Sequence, residues 1–348
     1  MIKYLGSKRT LVPVLGELFE RSGGGAALDL FTGTTRVAQE FKARGGYVHA
    51  NDIAAYSQVL AECYVATDAD GVDPAELDEA LADLDALPDR RGYVTEVFCE
   101  QARYFQPHNG LRIDAIRHGI DERYADSPLR PLLLTALLQA ADSVDSTVGL
   151  QMAFLKKWAP RSYRRLELKA PKLLPGQGRA WRADALEVLD DLPAVDFAYL
   201  DPPYNQHRYF TNYHVWETLV RGDEPEHYGI ACKRIDSRDA DTKSAFNRRR
   251  EMPLVLAEVI ERVRASVVVV SFSNEGFVPL EELTELCAVG DRAVQVLTFD
   301  FPRHVGARIG IHGPNGKKVG RVTHTRNTEY LLVCGEQDKV AAMVQGLA

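Results

Sequence analysis

The first 66 residues alternate in a way that few folds tolerate. Residues 26–31 (AALDLF) form a short apolar run of the buried-strand type. Residues 34–44 have helical spacing and stop at Gly45-Gly46, residues 47–50 read as a second strand, and 53–66 as a second helix. Strand, helix, strand, helix at this spacing is a βαβ unit, which requires a parallel sheet with helices laid over it. The strand signal returns late in the chain. Residues 196–200 lead into Asp201-Pro202-Pro203-Tyr204, and 266–272 (SVVVVSF) is the continuous apolar run of a central parallel strand. Residues 293–301 and 329–334 read as a terminal hairpin, with 303–327 as a long basic connection.

Between these halves, about 67–178, no strand signal stands out. Helical spacing recurs near 74–87, 94–105, 111–125 and 128–145, and a turn-rich stretch from Lys169 to Gly178 closes the region. The expected organisation is an α/β catalytic domain made of 1–66 and 179–348, interrupted by a helical insertion over 67–178.

The chain has 348 residues, 45% apolar and 26% charged, which excludes a disordered chain, a collagen-like chain and a small disulfide scaffold. The five cysteines stand far apart, with no CxxC pair and no zinc-type spacing to histidine, so reduced thiols and no metal site are expected. No apolar run reaches membrane-spanning length, and the N-terminus lacks a signal-peptide core; a cytoplasmic protein without membrane contact is expected. The net charge of −7 argues mildly against nucleic acid, but the charge is unevenly spread. Residues 68–89 hold nine carboxylates and no Lys or Arg, residues 156–182 hold nine basic groups and one acid, and 303–326 hold six basic groups and no acid. Such basic stretches suit either a solvated surface or phosphate contacts.

Asp201-Pro202-Pro203-Tyr204 is the sharpest local feature. It follows a strand, where open α/β sheets bind ligands. An amino group conjugated to an aromatic ring is a poor nucleophile, because its lone pair is delocalised. Acceptors held off the ring plane make it reactive. Asp201 offers an anionic acceptor, Pro202 a carbonyl, the two prolines fix the backbone, and Tyr204 offers a stacking face. A second feature is Asp29-Leu-Phe-Thr-Gly-Thr-Thr35, where Gly33 opens a helix, followed by Asn51-Asp52-Ile53 after the second strand. An acid there suits ribose hydroxyls, and the lack of GxGxxG points to a nucleoside cofactor rather than a dinucleotide. A third is Lys3-Tyr-Leu-Gly-Ser-Lys-Arg9, which by itself reads as a helix start with basic decoration. Asp142 and Asp145 read as helix-end caps, His207, Arg208, Tyr209 and His214 as either pocket or core, and Arg248-Arg249-Arg250 as a solvated helix start.

Together, and in their order along the chain, KYLGSKR, DLFTGT, NDI and DPPY resemble the alpha-group DNA adenine-N6 methyltransferases. The segments YNQHRYFTNYHVWET, SFSNE and NTEY resemble that family as well. The resemblance implies a class I, Rossmann-like methyltransferase fold, S-adenosylmethionine as cofactor, and duplex DNA as partner. It places Tyr4, Lys8, Phe31, Gly33, Asp52 and Asp184 on the cofactor and Asp201, Pro202, Pro203 and Tyr204 at methyl transfer. The insertion becomes a target-recognition domain. Lys156, Lys157, Arg161, Arg164, Arg165, Arg308, Lys317 and Lys318 are the candidate DNA contacts. The adenine would flip out of the duplex and stack on Tyr204, with the sulfonium near the rings of Phe31 and Tyr4. A restriction endonuclease acting on the same site is the other partner implied. One departure is Thr35, standing where many relatives have glycine; a β-branched residue reaches positive φ only at a cost, so a locally different loop is expected. N4 methylation of cytosine, methylation of an RNA base, and a catalytically silent DNA-binding module are the alternatives. No cysteine follows a proline, which leaves cytosine-C5 chemistry without its nucleophile.

Overall fold

The structure is a computed structural model that describes residues 2–3, 8–206, 208–240, 242–302, 311–312, 318–320 and 326–347. Its centre is a seven-stranded sheet. Parallel strands β1 (Ala26–Asp29), β2 (Tyr47–Asn51), β3 (Gly178–Trp181), β4 (Val195–Leu200) and β7 (Ala265–Ser273) make up its body. β8 (Ala293–Pro302) and β11 (Arg326–Gly335) complete it, and the spatial order is β3-β2-β1-β4-β7-β11-β8. The last strand in the chain inserts between β7 and β8 and runs antiparallel to both, with Glu329 opposite Ser273 on one side and Phe299 on the other. The expected terminal hairpin is therefore present. Two short pairs lie apart from the sheet: β5 (His227–Tyr228) with β6 (Lys233–Arg234), and β9 (Ile311–His312) with β10 (Lys318–Gly320).

Strand alternation divides the core. On one face Leu28, Ala198, Leu200, Val268, Val270 and Leu332 pack under α7 (Ala185–Asp191), α10 (Met252–Arg262) and α11 (Leu280–Cys287). On the other, Ala27, Val48, Phe197, Val267, Val269 and Val333 pack under α1 (Val12–Arg21), α2 (Arg36–Ala43) and the C-terminal helix α12 (Gln337–Val344). A strand buried on both faces must be apolar at every position, which is why the run of valines was readable.

The region between β2 and β3 is helical. It comprises α3 (Ala55–Ala61) running into wide π turns over Glu62–Ala66, α4 (Pro74–Asp85), a second π segment Val94–Gln101, α5 (Pro107–Tyr124) and α6 (Arg130–Val144). The single helix expected over 53–66 thus changes pitch at Glu62, whose carbonyl accepts from Thr67 N at 3.0 Å. These helices share one core with α9 (His214–Arg221), which follows the short helix α8 (Tyr209–Asn212); Tyr213, Val215, Trp216 and Leu219 are buried in it. Packing therefore joins α9 to the helices before β3. The strand β3 itself carried no sequence signal.

Candidate active site at the carboxyl edge of the sheet

The loops that leave β1, β2, β3 and β4 converge on one cleft at the carboxyl edge of the sheet. Its empty space, open solvent included, is about 890 Å³. Phe31, Asp52 and Asp184 line it together with Asp201 and Pro203, and Tyr204 follows directly. Two features separated by about 150 positions in the chain thus share a wall.

On the β1–β2 side, Asp52 is held by backbone. Its Oδ2 accepts from Gly33 N at 2.9 Å and its Oδ1 from Ala54 N at 3.0 Å. Burial raises its pKa above the usual carboxylate range, and the backbone donors oppose that rise. Gly33 takes φ 51°, which lets its N–H point at the carboxylate. Asn51 stitches the strand ends: its amide donates to the carbonyls of Leu30 and Ala183, both at 3.2 Å, and its Oδ1 accepts from Ala183 N. Asp184 caps α7 through Leu186 N at 2.8 Å. The ring of Phe31 meets that of Phe246 edge-on at 5.1 Å.

The expectation for Thr35 is corrected. It stands in the left-handed region at φ 63°, ψ 12°. A β-branched residue is strained there, and neighbours hold it: Thr35 N donates to Thr32 O at 2.7 Å, Gln39 N to Thr35 O at 2.8 Å, and the Gln39 side chain to Thr35 Oγ1 at 2.8 Å. The loop keeps the geometry that a glycine would take. Beside it, Asp29 is fully desolvated. Its Oδ2 accepts from Thr32 Oγ1 at 2.9 Å and Ala38 N at 3.1 Å, and its Oδ1 has no partner among the described residues. Burial, above all, pushes its pKa up to about 7.

On the β4 side, Asp201 lies 3.2 Å from the ammonium of Lys8, which lies 2.9 Å from Glu329 on β11. Burial pushes the Asp201 carboxyl up to about 6, with Lys8 opposing the rise and Glu329 adding to it. The same ammonium lies 5.5 Å from the centroid of Tyr204. Tyr204 rests on Phe272 of β7 with centroids 5.4 Å apart, and its carbonyl accepts from Phe277 N at 2.9 Å. The corner after β4 is thereby fixed by ring packing as well as by proline.

Some candidates converge and others do not. Phe31, Gly33, Asp52, Asp184, Asp201, Pro202, Pro203 and Tyr204 come together, and Lys8 sits at the Asp201 end of the group. Tyr4, His207, Arg308 and Lys317 lie outside the described residues, and Lys318 is placed only as the backbone of β10. Lys156, Lys157, Arg164 and Arg165 are exposed, whereas Arg161 bonds Asp145 at 2.8 Å and the carbonyl of Thr147 at 2.6 Å. Asp145 occupies the C-cap position of α6, as expected, whereas Asp142 lies inside the helix, and both carboxylates reach beyond it. They grip Lys3 at 3.0 and 3.1 Å, tying the N-terminal strand of chain to the end of α6. Arg248 pairs with Glu251 at 2.7 Å. Glu329, Asp29, Asn51 and Phe246 were missed as site residues. Glu329 lay inside a familiar segment, NTEY, but nothing local linked it to Asp201.

The cleft, the carboxylate corner and the sheet order, with its one reversed strand inside the far edge, define a class I methyltransferase. More narrowly, the chain belongs to the D12 class N6 adenine-specific DNA methyltransferase family, whose profile matches residues 4–263. The type II methyltransferase M.NlaIII of Neisseria lactamica is 30% identical over 82% of this chain and 87% of its own. Modification methylase StsI of Streptococcus sanguinis is 29% identical over 82% of this chain, and LlaI of Lactococcus lactis subsp. lactis is 26% identical over 92%. The chain spans about half the length of the latter two, 46% and 54% respectively.

Proposed function

We propose that the chain is a site-specific DNA methyltransferase that moves a methyl group from S-adenosylmethionine to N6 of a flipped-out adenine in duplex DNA. One observation carries the reading: Asp201, on a corner fixed by two prolines and by the Tyr204–Phe272 contact, opens on the same cleft as Asp52. The donor set fits the cofactor. Asp52, oriented by the N–H groups of Gly33 and Ala54, faces the cleft as an acceptor for a ribose hydroxyl. Asp184 stands across the cleft for the adenine amine, and Phe31 supplies an aromatic face. When bound, S-adenosylmethionine supplies an electrophilic methyl group.

The chain's own residues prepare the amine. Asp201 accepts one N6 hydrogen and the Pro202 carbonyl the other, drawing the nitrogen out of conjugation with the ring. Tyr204 stacks on the base, offsetting part of the few kcal/mol that flipping costs. Exposed Lys156, Lys157, Arg164 and Arg165 contribute phosphate contacts, and Arg308, Lys317 and Lys318 are assigned the same task. The helices between β2 and β3 serve target recognition, and a cognate endonuclease accompanies the activity. No helix among the described residues is long and apolar enough to cross a membrane, and we place the enzyme in the cytoplasm with DNA.

The test is mass spectrometry of nucleosides from unmethylated duplex DNA incubated with protein and S-adenosylmethionine. N6-methyladenosine of the deoxy series is expected. N4-methylcytosine, or methyl incorporation into RNA alone, contradicts the reading.

A further inference from the structure

The Lys8 ammonium is shared by two carboxylates in a place where one would satisfy it. Its side chain is 8% exposed, and it bridges Asp201 (3.2 Å) and Glu329 (2.9 Å), themselves 19% and 14% exposed. Placing a second carboxylate beside a desolvated one is unfavourable, because like charges repel more strongly away from water. A purely structural tether would not need it. Glu329 is delivered from the last strand of the sheet, 321 positions from Lys8 and locked in register between β7 and β8. The fold therefore holds it there firmly.

The consequence concerns what Asp201 has to offer. Were Lys8 to meet Asp201 alone, the two would form a tight pair in a poorly solvated cleft, and the carboxylate's lone pairs would be directed at the ammonium. With Glu329 taking the shorter contact, Asp201 stays ionised under the influence of Lys8 while retaining acceptor capacity toward the cleft. Resting on the function proposed above, we infer that Glu329 is a positioning residue for methyl transfer: it draws the Lys8 ammonium off Asp201 and leaves that carboxylate open to the incoming amine.

Steady-state kinetics with duplex DNA and S-adenosylmethionine, run alongside calorimetric binding of S-adenosylmethionine, test this. Glu329→Gln is expected to lower kcat by about tenfold or more while the cofactor Kd and the DNA KM move less than about threefold. Glu329→Asp, which keeps the charge, is expected to retain more kcat than Glu329→Gln. Because Glu329 acts through Lys8, adding Glu329→Gln to Lys8→Met should cause no further loss of kcat. Unchanged kcat in Glu329→Gln overturns the inference. So does an equal additional loss in the Lys8→Met background, or a drop in melting temperature in both Glu329 variants with kcat intact. If the unaltered protein transfers no methyl group to DNA, the proposed function itself fails, a result distinct from active protein indifferent to Glu329.

Discussion

Two aspartates, one buried in the helical region and one half-buried in the cleft, contrast a side chain that holds the fold with one to which we assign a part in the reaction. Asp114 in α5 collects four donors: the N–H groups of Gly92, Val94 and Thr95 at 3.0, 2.9 and 2.8 Å, and the Thr95 hydroxyl at 2.6 Å. Its charge closes the turns that enter the π segment. Asp201 has the Lys8 ammonium at 3.2 Å and a second carboxylate within the same cluster. Asp29 is intermediate, with two donors on one oxygen and none on the other among the described residues. Saturated hydrogen bonding marks a carboxylate that holds structure. Partial saturation in a desolvated place marks one kept ready for something else.

Substitution should separate the classes. The largest effect is expected for Asp201→Ala, with kcat down about 10³-fold because an oriented anionic acceptor is lost where the amine must be activated. Its melting temperature should stay near that of the unaltered protein, since Lys8 keeps Glu329. Asp114→Ala should do the reverse. It strands the donors of Gly92, Val94 and Thr95 and costs about 3 kcal/mol of stability by chemical denaturation, with kcat of the folded fraction unchanged. A kcat loss in Asp114→Ala comparable to that in Asp201→Ala would erase the distinction.

The smallest effect concerns Asp29 and depends on pH. Its folded pKa of about 7 lies above the unfolded value, so the folded state holds a proton that the unfolded chain releases at lower pH. The contribution of Asp29 to stability is complete below about pH 4 and is lost as pH rises through about 7. Asp29→Asn carries no such charge. Relative to the unaltered protein it should gain about 2 kcal/mol between pH 5 and pH 8, measured by denaturant titration at both values. A pH-independent difference would show that Asp29 is solvated and belongs with neither class.

What the chain disclosed beforehand follows from range. Strands β4 and β7 were legible because burial on both faces forces continuous apolar sequence, as at Val267–Val270. The edge strand β3 was not, since Gly-Arg-Ala-Trp pairs on one side only and is half exposed. Asp52 and Asp201 were legible because each ends a strand beside a recognisable turn. Thr35 was misjudged because the Gln39 tether that stabilises a strained residue leaves no mark in local composition. Asp145 does end α6, but the ion pairs of Asp142 and Asp145 with Lys3 and Arg161 reach far along the chain and leave no local mark. The Glu329–Lys8 contact joins opposite ends of the sequence, and only the insertion of β11 between β7 and β8 brings it about.

The central claim is geometric, and a ternary crystal structure with duplex DNA and the non-transferable cofactor analogue sinefungin tests it most directly. The account predicts an adenine outside the helix, stacked on Tyr204, its N6 within hydrogen-bond distance of the Asp201 carboxylate and the Pro202 carbonyl, with the analogue's ribose on Asp52. An adenine left paired in the duplex with Asp201 turned away from it, or an analogue bound elsewhere than the Asp52 side of the cleft, would contradict it.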